Sequence, residues 1–358
     1  MEEVQVGATL PEGMILRYDD ALLPHFIELA DAIRINPIIV SLHLWRIELN
    51  PSVLQVLLSA TRHNENIDDL GFFNVRLADD EECLSLLYDI VSTLPSLRSL
   101  AWNGDGRERT KITSMLTGTA VRNELIRHLD FSKCFRGEQR AAVGVDVLTS
   151  LLTSGREFRS ISFGGNDLSG IVPICDALAS NPPITFLNLN DNLLDDEDAK
   201  SIAEALASNT TLRGLYLEKN RFTDAGKRVL ILAVHDNSDL NTLSGCNHTC
   251  CFSGVGDRSP NRRENVSEFS DWQFNRGIKI YDELSEQCRE NNIALLLETE
   301  LGESSLLLLP KVLELVKKYS FNVSTREGSG LHSIRSPLSI YFELLKTWKM
   351  PEIFVRKM

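Results

Sequence analysis

The 358 residues predict an α/β solenoid: stacked strand-and-helix units with a parallel sheet on one side, helices on the other, and helical caps. Three observations carry this. First, an apolar template recurs: ITFLNLNDNLL from Ile184 and LRGLYLEKNRF from Leu212 share apolar residues at positions one, four and six and an asparagine at position nine. Further copies start at Ile39, Ile67, Leu97, Ile126, Phe158 and Leu240, giving eight starts separated by 28, 30, 29, 32, 26, 28 and 28 residues. Second, three residues before the starts stand Asn36, Asn64, Leu94, Asn123, Gly155, Asn181, Asn209 and Asn237, mostly types that accept a left-handed backbone where a helix stops. Third, the stretches between templates carry helical periodicity, as in DEDAKSIAEALAS, where Ala199, Ile202, Ala203 and Leu206 share one face.

Each element follows from what its residues must bury or satisfy. Residues 1–35 form an N-terminal capping segment, in which Asp19 to Ile35 is an amphipathic helix with Leu22, Phe26, Leu29 and Ile33 on one side. Residues 36–253 hold about eight repeats; no single repeat can bury its own apolar positions, so stacking is obligatory. Position nine, occupied by Cys134, Asn166, Asn192 and Asn220 in repeats four to seven, sits at the turn leaving the strand, where a short polar side chain can bond backbone groups. Ile47, Val75, Asp105 and His248 stand there in other repeats, and irregular turns are expected. Asp195 to Asp198 open a helix and complement its dipole; they lack the spacing of a calcium loop. Residues 254–270, rich in Gly, Ser, Asn and Arg, read as a loop or linker, and 271–358 as a helical C-terminal cap. Within that cap, Phe274, Ile278, Tyr281, Leu284 and Cys288 mark one helix face, Pro310 breaks a second helix over 304–319, and Ser336 caps a third.

Charge is distributed unevenly. Residues 258–358 hold 15 basic and 14 acidic side chains, whereas the first 257 hold 22 and 36, a net of -14. A repeat region of that sign repels phosphate backbones, so nucleic acid is excluded as its ligand and a basic or mixed protein surface is expected. No apolar run approaches the roughly 18 residues of a membrane span. The acidic start MEEVQVGATLPEG has no secretory pattern, and the seven scattered cysteines form no disulfide framework, which together place the chain in the cytoplasm or nucleus rather than outside the cell. The four Asn-x-Ser/Thr sequons, at Asn209, Asn247, Asn265 and Asn322, require a secretory context and do not alter that reading.

These residues resemble leucine-rich repeats of the ribonuclease-inhibitor type over about residues 36–250. The resemblance implies a horseshoe that binds other proteins on its concave sheet. The tail, with NRGIKIYDEL, LGESSLLLLPKVLELV and SPLSIYFELLKTWKMPEIF, resembles the carboxyl-terminal segment of a group of leucine-rich-repeat proteins from diatoms, a group that implies no established biochemical activity.

No phosphate loop, H-E-x-x-H helix, G-x-S-x-G elbow or dinucleotide-binding G-x-G-x-x-G is present, so neither catalysis nor a cofactor is expected. The cluster Cys246, His248, Cys250 and Cys251 offers zinc-type ligands, but its spacing lacks the second knuckle of a structural site. Strand alternation instead points to the concave face, where His43, Trp45, Phe73, Asp130, Asn188, Asn190, Tyr216, Glu218 and Lys219 are the candidate partner-binding residues. The expected function is a non-catalytic protein-interaction scaffold. A GTPase-activating protein or a ubiquitin adaptor of the same repeat type is the alternative.

Overall fold

A computed structural model describes residues 2–7, 14–78, 80–104, 110–238, 240–255, 275–277, 279, 280 and 283. The chain divides into two compact units, Met1–Lys227 with Phe252–Gly256, and Arg228–Cys251 with Asp257–Met358.

The first unit is built on a parallel sheet. Strand β1 (Glu2–Val6) pairs with β2 (Ile39–Trp45), and a short β3 (Glu48–Leu49) follows. Then come β4 (Asp69–Phe73), the short β5 (Arg76–Leu77), β6 (Ser99–Asn103), β7 (His128–Asp130), β8 (Phe158–Ser162), β9 (Ile184–Asn188), β10 (Gly214–Tyr216) and β11 (Cys251–Ser253). Nine of them form one sheet in the order β1-β2-β4-β6-β7-β8-β9-β10-β11, so each repeat's strand lies beside the last. Helices fill the crossovers: α1 (Leu23–Ile35), α2 (Pro51–His63), α3 (Asp80–Val91), α4 (Thr110–Arg122), α5 (Glu138–Thr153), α6 (Val172–Ala179) and α7 (Asp196–Ser208). Because strand order never reverses and parallel crossovers are right-handed, these helices lie on one side of the sheet, each packed on the next.

The core is what the template demands. Positions four and six, Leu42 and Leu44, Leu70 and Phe72, Leu100 and Trp102, Leu129 and Phe131, Ile161 and Phe163, Leu187 and Leu189, and Leu215 and Leu217, are all buried. Position six forms an aromatic column in the middle repeats: Phe72 and Trp102 lie 5.0 Å apart and Phe131 and Phe163 5.8 Å, with Phe135 stacked on Phe163 at 5.6 Å. Each buried aromatic removes a large apolar surface from water, and truncating one costs about 3–5 kcal/mol.

Two sets of asparagines satisfy the backbone that this stacking buries. At position nine, Asn192 Nδ2 donates to Phe163 O at 3.1 Å and Leu189 O at 3.0 Å, while its Oδ1 accepts from Asn166 N and Leu168 N at 3.0 and 3.1 Å. Asn166 repeats this between Phe131 O and Phe135 N, Asn220 between Leu189 O and Leu194 N, and the Cys134 thiol donates to Trp102 O. The second set lies three residues before the template, and there the structure corrects the expected backbone. Asn36, Asn64 and Asn209 have φ of -93°, -99° and -80° rather than positive values. Only Asn181 and Gly155 of that register are left-handed. The side chains matter instead: Asn64 Nδ2 donates to Ile33 O and Asn36 O, Asn123 Nδ2 to Val91 O and Leu94 O, and Asn209 Nδ2 to Leu178 O. Asparagine is used here to occupy carbonyls left unpaired at the end of the preceding repeat's helix.

Two further expectations change. The turns at Ile47 and Val75 are regular: both residues are buried and each opens a short strand, with β3 pairing β5 as a second parallel sheet. The segment from Leu240, expected as an eighth strand, is helix α9 (Leu240–Gly245), and the last strand is β11. Asn247 explains the shift, because its Oδ1 accepts from Thr249 N at 2.9 Å and Cys250 N at 2.8 Å, as Asn209 Oδ1 accepts from Thr211 N and Leu212 N. The last strand therefore starts from Asn247, and Asn237 has no such role. Leu217 N donates to Ser253 O, and Gly254 (φ 82°) follows with so little room that a Cβ would stand 2.5 Å from Glu218 Cα.

In the second unit, α8 (Asp224–Val234) enters from the first and α9 follows. Its described tail residues are helical and, apart from half-buried Arg276, buried: Asn275 donates to His248 O, Arg276 to Ser244, and Lys279 Nζ to Asn247 O and, more closely, to Val234 O at the end of α8. A cation on a helix's last carbonyls complements the negative end of its dipole. The expected face of Phe274, Ile278, Tyr281, Leu284 and Cys288, and the helices around Pro310 and Ser336, lie outside the described residues.

Candidate protein-binding face

Strand alternation turns three positions of each repeat away from the helices: three, five and seven. Register places them in rows, so that Asp69, Ser99, His128 and Ser160 form one row and His43, Gly71, Ala101, Asp130, Ser162, Asn188 and Tyr216 the next. Just beyond, at position eight, Arg46, Asn74, Lys133, Asp191 and Lys219 adopt φ between 50° and 62°, and Gly165 adopts 69°. This is the chain's main left-handed register, at the turn that leaves six of the strands. Lys219, one of the candidate residues, is exposed at one such turn.

The face has two chemically different ends. At the first, Trp45 and Phe73 stack at 4.0 Å with planes 14° apart, and the His43 ring meets Phe73 edge-on at 5.4 Å. Gly71 makes this possible, since a Cβ there would stand 2.5 Å from the Phe73 ring and 2.7 Å from that of His43. Both Trp45 and Phe73 are half-buried; the buried Trp45 Nε1 has no hydrogen-bond partner among the described residues. His43 bridges two carboxylates, Glu3 on β1 and Asp69 on β4, the latter at 2.8 Å. Burial pulls the His43 pKa down, but the Asp69 bond and the charges of Asp69 and Glu3 outweigh it and hold it above the ordinary 6.5. Burial likewise pushes Asp69 up, and its bonds to His43 and Ser99 reverse this, leaving it below the ordinary value.

Further along, His128 bonds Ser160 Oγ at 2.7 Å, and burial and Arg159 lower its pKa, so it is neutral near pH 7. Beside it runs a polar ladder. Asp130 accepts from Ser132, Ser132 Oγ meets Ser162 Oγ at 3.0 Å, and Asn188 Nδ2 donates to Ser162 Oγ at 3.1 Å. Asn188 Oδ1 accepts from Asn190 N at 2.9 Å, Asn190 Oδ1 from Glu218 N at 2.6 Å, and Glu218 from Ser253 Oγ. Asn188, Asn190 and Glu218 thus brace the face while leaving polar atoms on it. Tyr216 stands half-buried beside this ladder. The structure brings His43, Trp45 and Phe73 into one cluster and Asp130, Asn188, Asn190 and Glu218 into one bonded chain. The candidate residues stand at positions five, seven and eight; Asp69 and His128, at position three, share the face and follow from the same alternation taken one step earlier.

The framework fits one fold. Units of 26 to 32 residues place one strand and one helix each, with an apolar core at positions one, four and six and an asparagine ladder at nine. The fold is that of a leucine-rich-repeat solenoid. No protein-family profile matches the chain, and no curated protein matches it. Among solved structures, an internalin from Listeria monocytogenes is similar over 68% of this chain and 60% of its own, at 15% identity and a TM-score of 0.34. A Bacteroides fragilis protein is similar over 60% and 70%, at 13% identity and a TM-score of 0.39. A structure of the yeast Rad7 and Elc1 complex is similar over 61% and 67%, at 13% identity and a TM-score of 0.33. At these scores the assignment rests on the repeat geometry itself.

The remaining polar clusters of the leucine-rich-repeat framework have structural employment. Asp195 caps α7 by accepting from Glu197 N and Asp198 N; buried Asp198 accepts from Ile171 N at 2.8 Å, and Asp196 from Thr223 N at 2.8 Å. Burial and Asp198 push the Cys175 thiol up to about 12, which keeps it protonated. In the second unit, Cys246 accepts from Asp236 N and donates to Thr242 O, and Cys250 is buried. His248 faces Ser244 O, with its pKa driven down to about 4 by burial and by Lys279. Among the described residues no three His, Cys, Asp or Glu side chains gather as metal ligands, and no helix is long and apolar enough to cross a membrane.

Proposed function

We propose that this chain is a non-catalytic interaction scaffold that holds a partner protein on the concave face of its horseshoe. The observation that carries the proposal is the aromatic cluster of Trp45, Phe73 and His43, half-buried on the open side of a sheet whose other side is the core. Aromatic anchors of this kind concentrate binding energy, and the ladder from Asp130 to Glu218, with Tyr216 and Lys219, supplies a polar surround. A basic or mixed partner surface suits the net charge of -14 over the first 257 residues.

The ribonuclease-inhibitor type is supported by the helix in each of the units from α2 to α7 and by the unit length. The diatom-type ending is supported by the tail motifs alone. We assign residues 1–35 to an N-terminal cap, 36–253 to the repeats, 254–270 to a linker and 271–358 to a C-terminal cap. The scattered spacing of the seven cysteines, which matches no disulfide framework, favours a reducing cytoplasmic or nuclear setting.

Affinity capture from the native cell with the wild type and with Trp45→Ala/Tyr216→Ala/Glu218→Ala, quantified by mass spectrometry, tests the assignment. A genuine partner falls about tenfold or more with the variant, the loss expected when interface anchors are truncated. Equal recovery of every captured protein sinks the concave-face reading.

A further inference from the structure

A row of arginines crosses the N-terminal ends of the strands, apart from the face described above. Position two of successive repeats holds Asp68, Arg98, Arg127, Arg159, Thr185 and Arg213. Backbone bonds set three of them side by side: Arg127 N donates to Arg98 O at 2.8 Å, and Arg159 N to Arg127 O at 2.7 Å. Like charges on adjacent strands repel and destabilise a sheet. Residues 36–253 hold 28 acidic side chains, ample to pair with them, yet two of the three are left open. Arg98 and Arg159 are exposed and their side chains make no hydrogen bond or ion pair among the described residues. Arg127 donates to the carbonyls of Glu124 and Glu157 at 2.9 and 3.2 Å, which holds its guanidinium at this edge, with the Glu157 carboxylate 3.7 Å away. Nearby, Arg156 lies over the Phe158 ring at 5.8 Å and donates to Asn123 O, adding a further positive charge.

We propose that this edge is a second docking surface, for an acidic segment of a partner polypeptide. Neighbouring strands stand about 4.8 Å apart, so three guanidinium groups span roughly 10 Å, enough to meet carboxylates on alternate residues of an extended chain. Arginine's planar donor fork matches a carboxylate in two-point contact. The acidic surroundings oppose a long polyanion and favour a short acidic segment that touches only the row.

Fluorescence anisotropy with the full chain and a labelled peptide of alternating glutamate and serine tests this, with the glutamine counterpart as control. The wild type should bind the glutamate peptide saturably and the glutamine peptide not at all. Arg98→Gln/Arg159→Gln should weaken binding about tenfold, the sum of two partly exposed charge pairs. Arg98→Lys/Arg159→Lys should fall between the two, and Arg221→Gln/Lys227→Gln should bind as the wild type does. Absence of saturable binding by the wild type, equal weakening by the Arg221/Lys227 pair, or tighter binding of an RNA oligonucleotide of the same charge would each overturn the proposal. Capture through Trp45 and Tyr216 is unaffected by any of these results, so the two assignments fail separately.

Discussion

Two histidines with opposite shifts give residue-scale tests. His43 has a raised pKa, so its contribution to stability is fully present below the unfolded value near 6.5 and is lost as pH rises through the higher folded value. Asp69 has a lowered pKa, so its contribution is present above 3.8 and is lost as pH falls through the lower folded value. The His43–Asp69 bridge should therefore hold across the acidic to neutral range. NMR titration of the imidazole should give a midpoint above 6.5 that drops in Asp69→Asn; an unchanged midpoint in that variant refutes the bridge. His248 works the other way. With its pKa near 4, the unfolded chain binds the extra proton between about 6.5 and 4, so acidification through that window removes stability from the second unit. His248→Gln should flatten the pH dependence of protease resistance in that unit between those values; a slope equal to that of the wild type contradicts the assignment. A third residue-scale outcome concerns Gly71, whose Cβ would strike Phe73. Gly71→Ala should unstack Trp45 from Phe73, visible as a changed indole fluorescence and near-UV circular dichroism, and an unaltered spectrum would show that the ring has room.

At the scale of the element, the unit is a strand, a turn and a helix whose buried backbone is finished by side chains from its neighbour. Asn192 satisfies three carbonyls and two N–H groups, so Asn192→Ala leaves several buried groups unpaired, each costing about 1–3 kcal/mol. A loss of about 3 kcal/mol or more in denaturant titration is expected, against about 1 kcal/mol for Cys134→Ala, where a weak thiol donor is lost. Similar losses for the two would show that position nine is filled rather than bonded. This scale also shows what the sequence reveals. Position nine was legible at Asn166, Asn192 and Asn220 because an asparagine beside a fixed apolar register has one evident use. The asparagines before six of the eight templates were legible in place but not in purpose, since the residue that favours a left-handed backbone is also the one that can span a donor and an acceptor. The last strand was misplaced because LNTLSGCNHTC satisfies the apolar spacing at Leu240 and Leu243 while its segment forms α9. Asn247, with its bonds to Thr249 N and Cys250 N, was the better marker. The Trp45–Phe73 stack was half legible: alternation placed both rings on the face, but their contact depends on the absent Cβ of Gly71, two residues before Phe73 on the same strand.

Over the whole molecule, the sheet is a one-dimensional array in which every unit is buried by its neighbours, and the proposed function uses the side that the helices leave open. That side joins an aromatic cluster at one end to a hydrogen-bonded polar ladder at the other, and the arginine row lies along its edge. The net charge of -14 over the first 257 residues makes association through this surface sensitive to salt, with capture falling as ionic strength rises toward the regime of short screening lengths. Salt-independent capture would place the interface on apolar contacts alone. The most direct measurement is hydrogen–deuterium exchange on the chain with and without its captured partner. Binding on the open face predicts slower exchange in the strand segments Ile39–Trp45, Asp69–Phe73, Ile184–Asn188 and Gly214–Tyr216, with the peptides of α2 and α7 unchanged. Protection confined to the helices, with those strands exchanging as in the free chain, would contradict it.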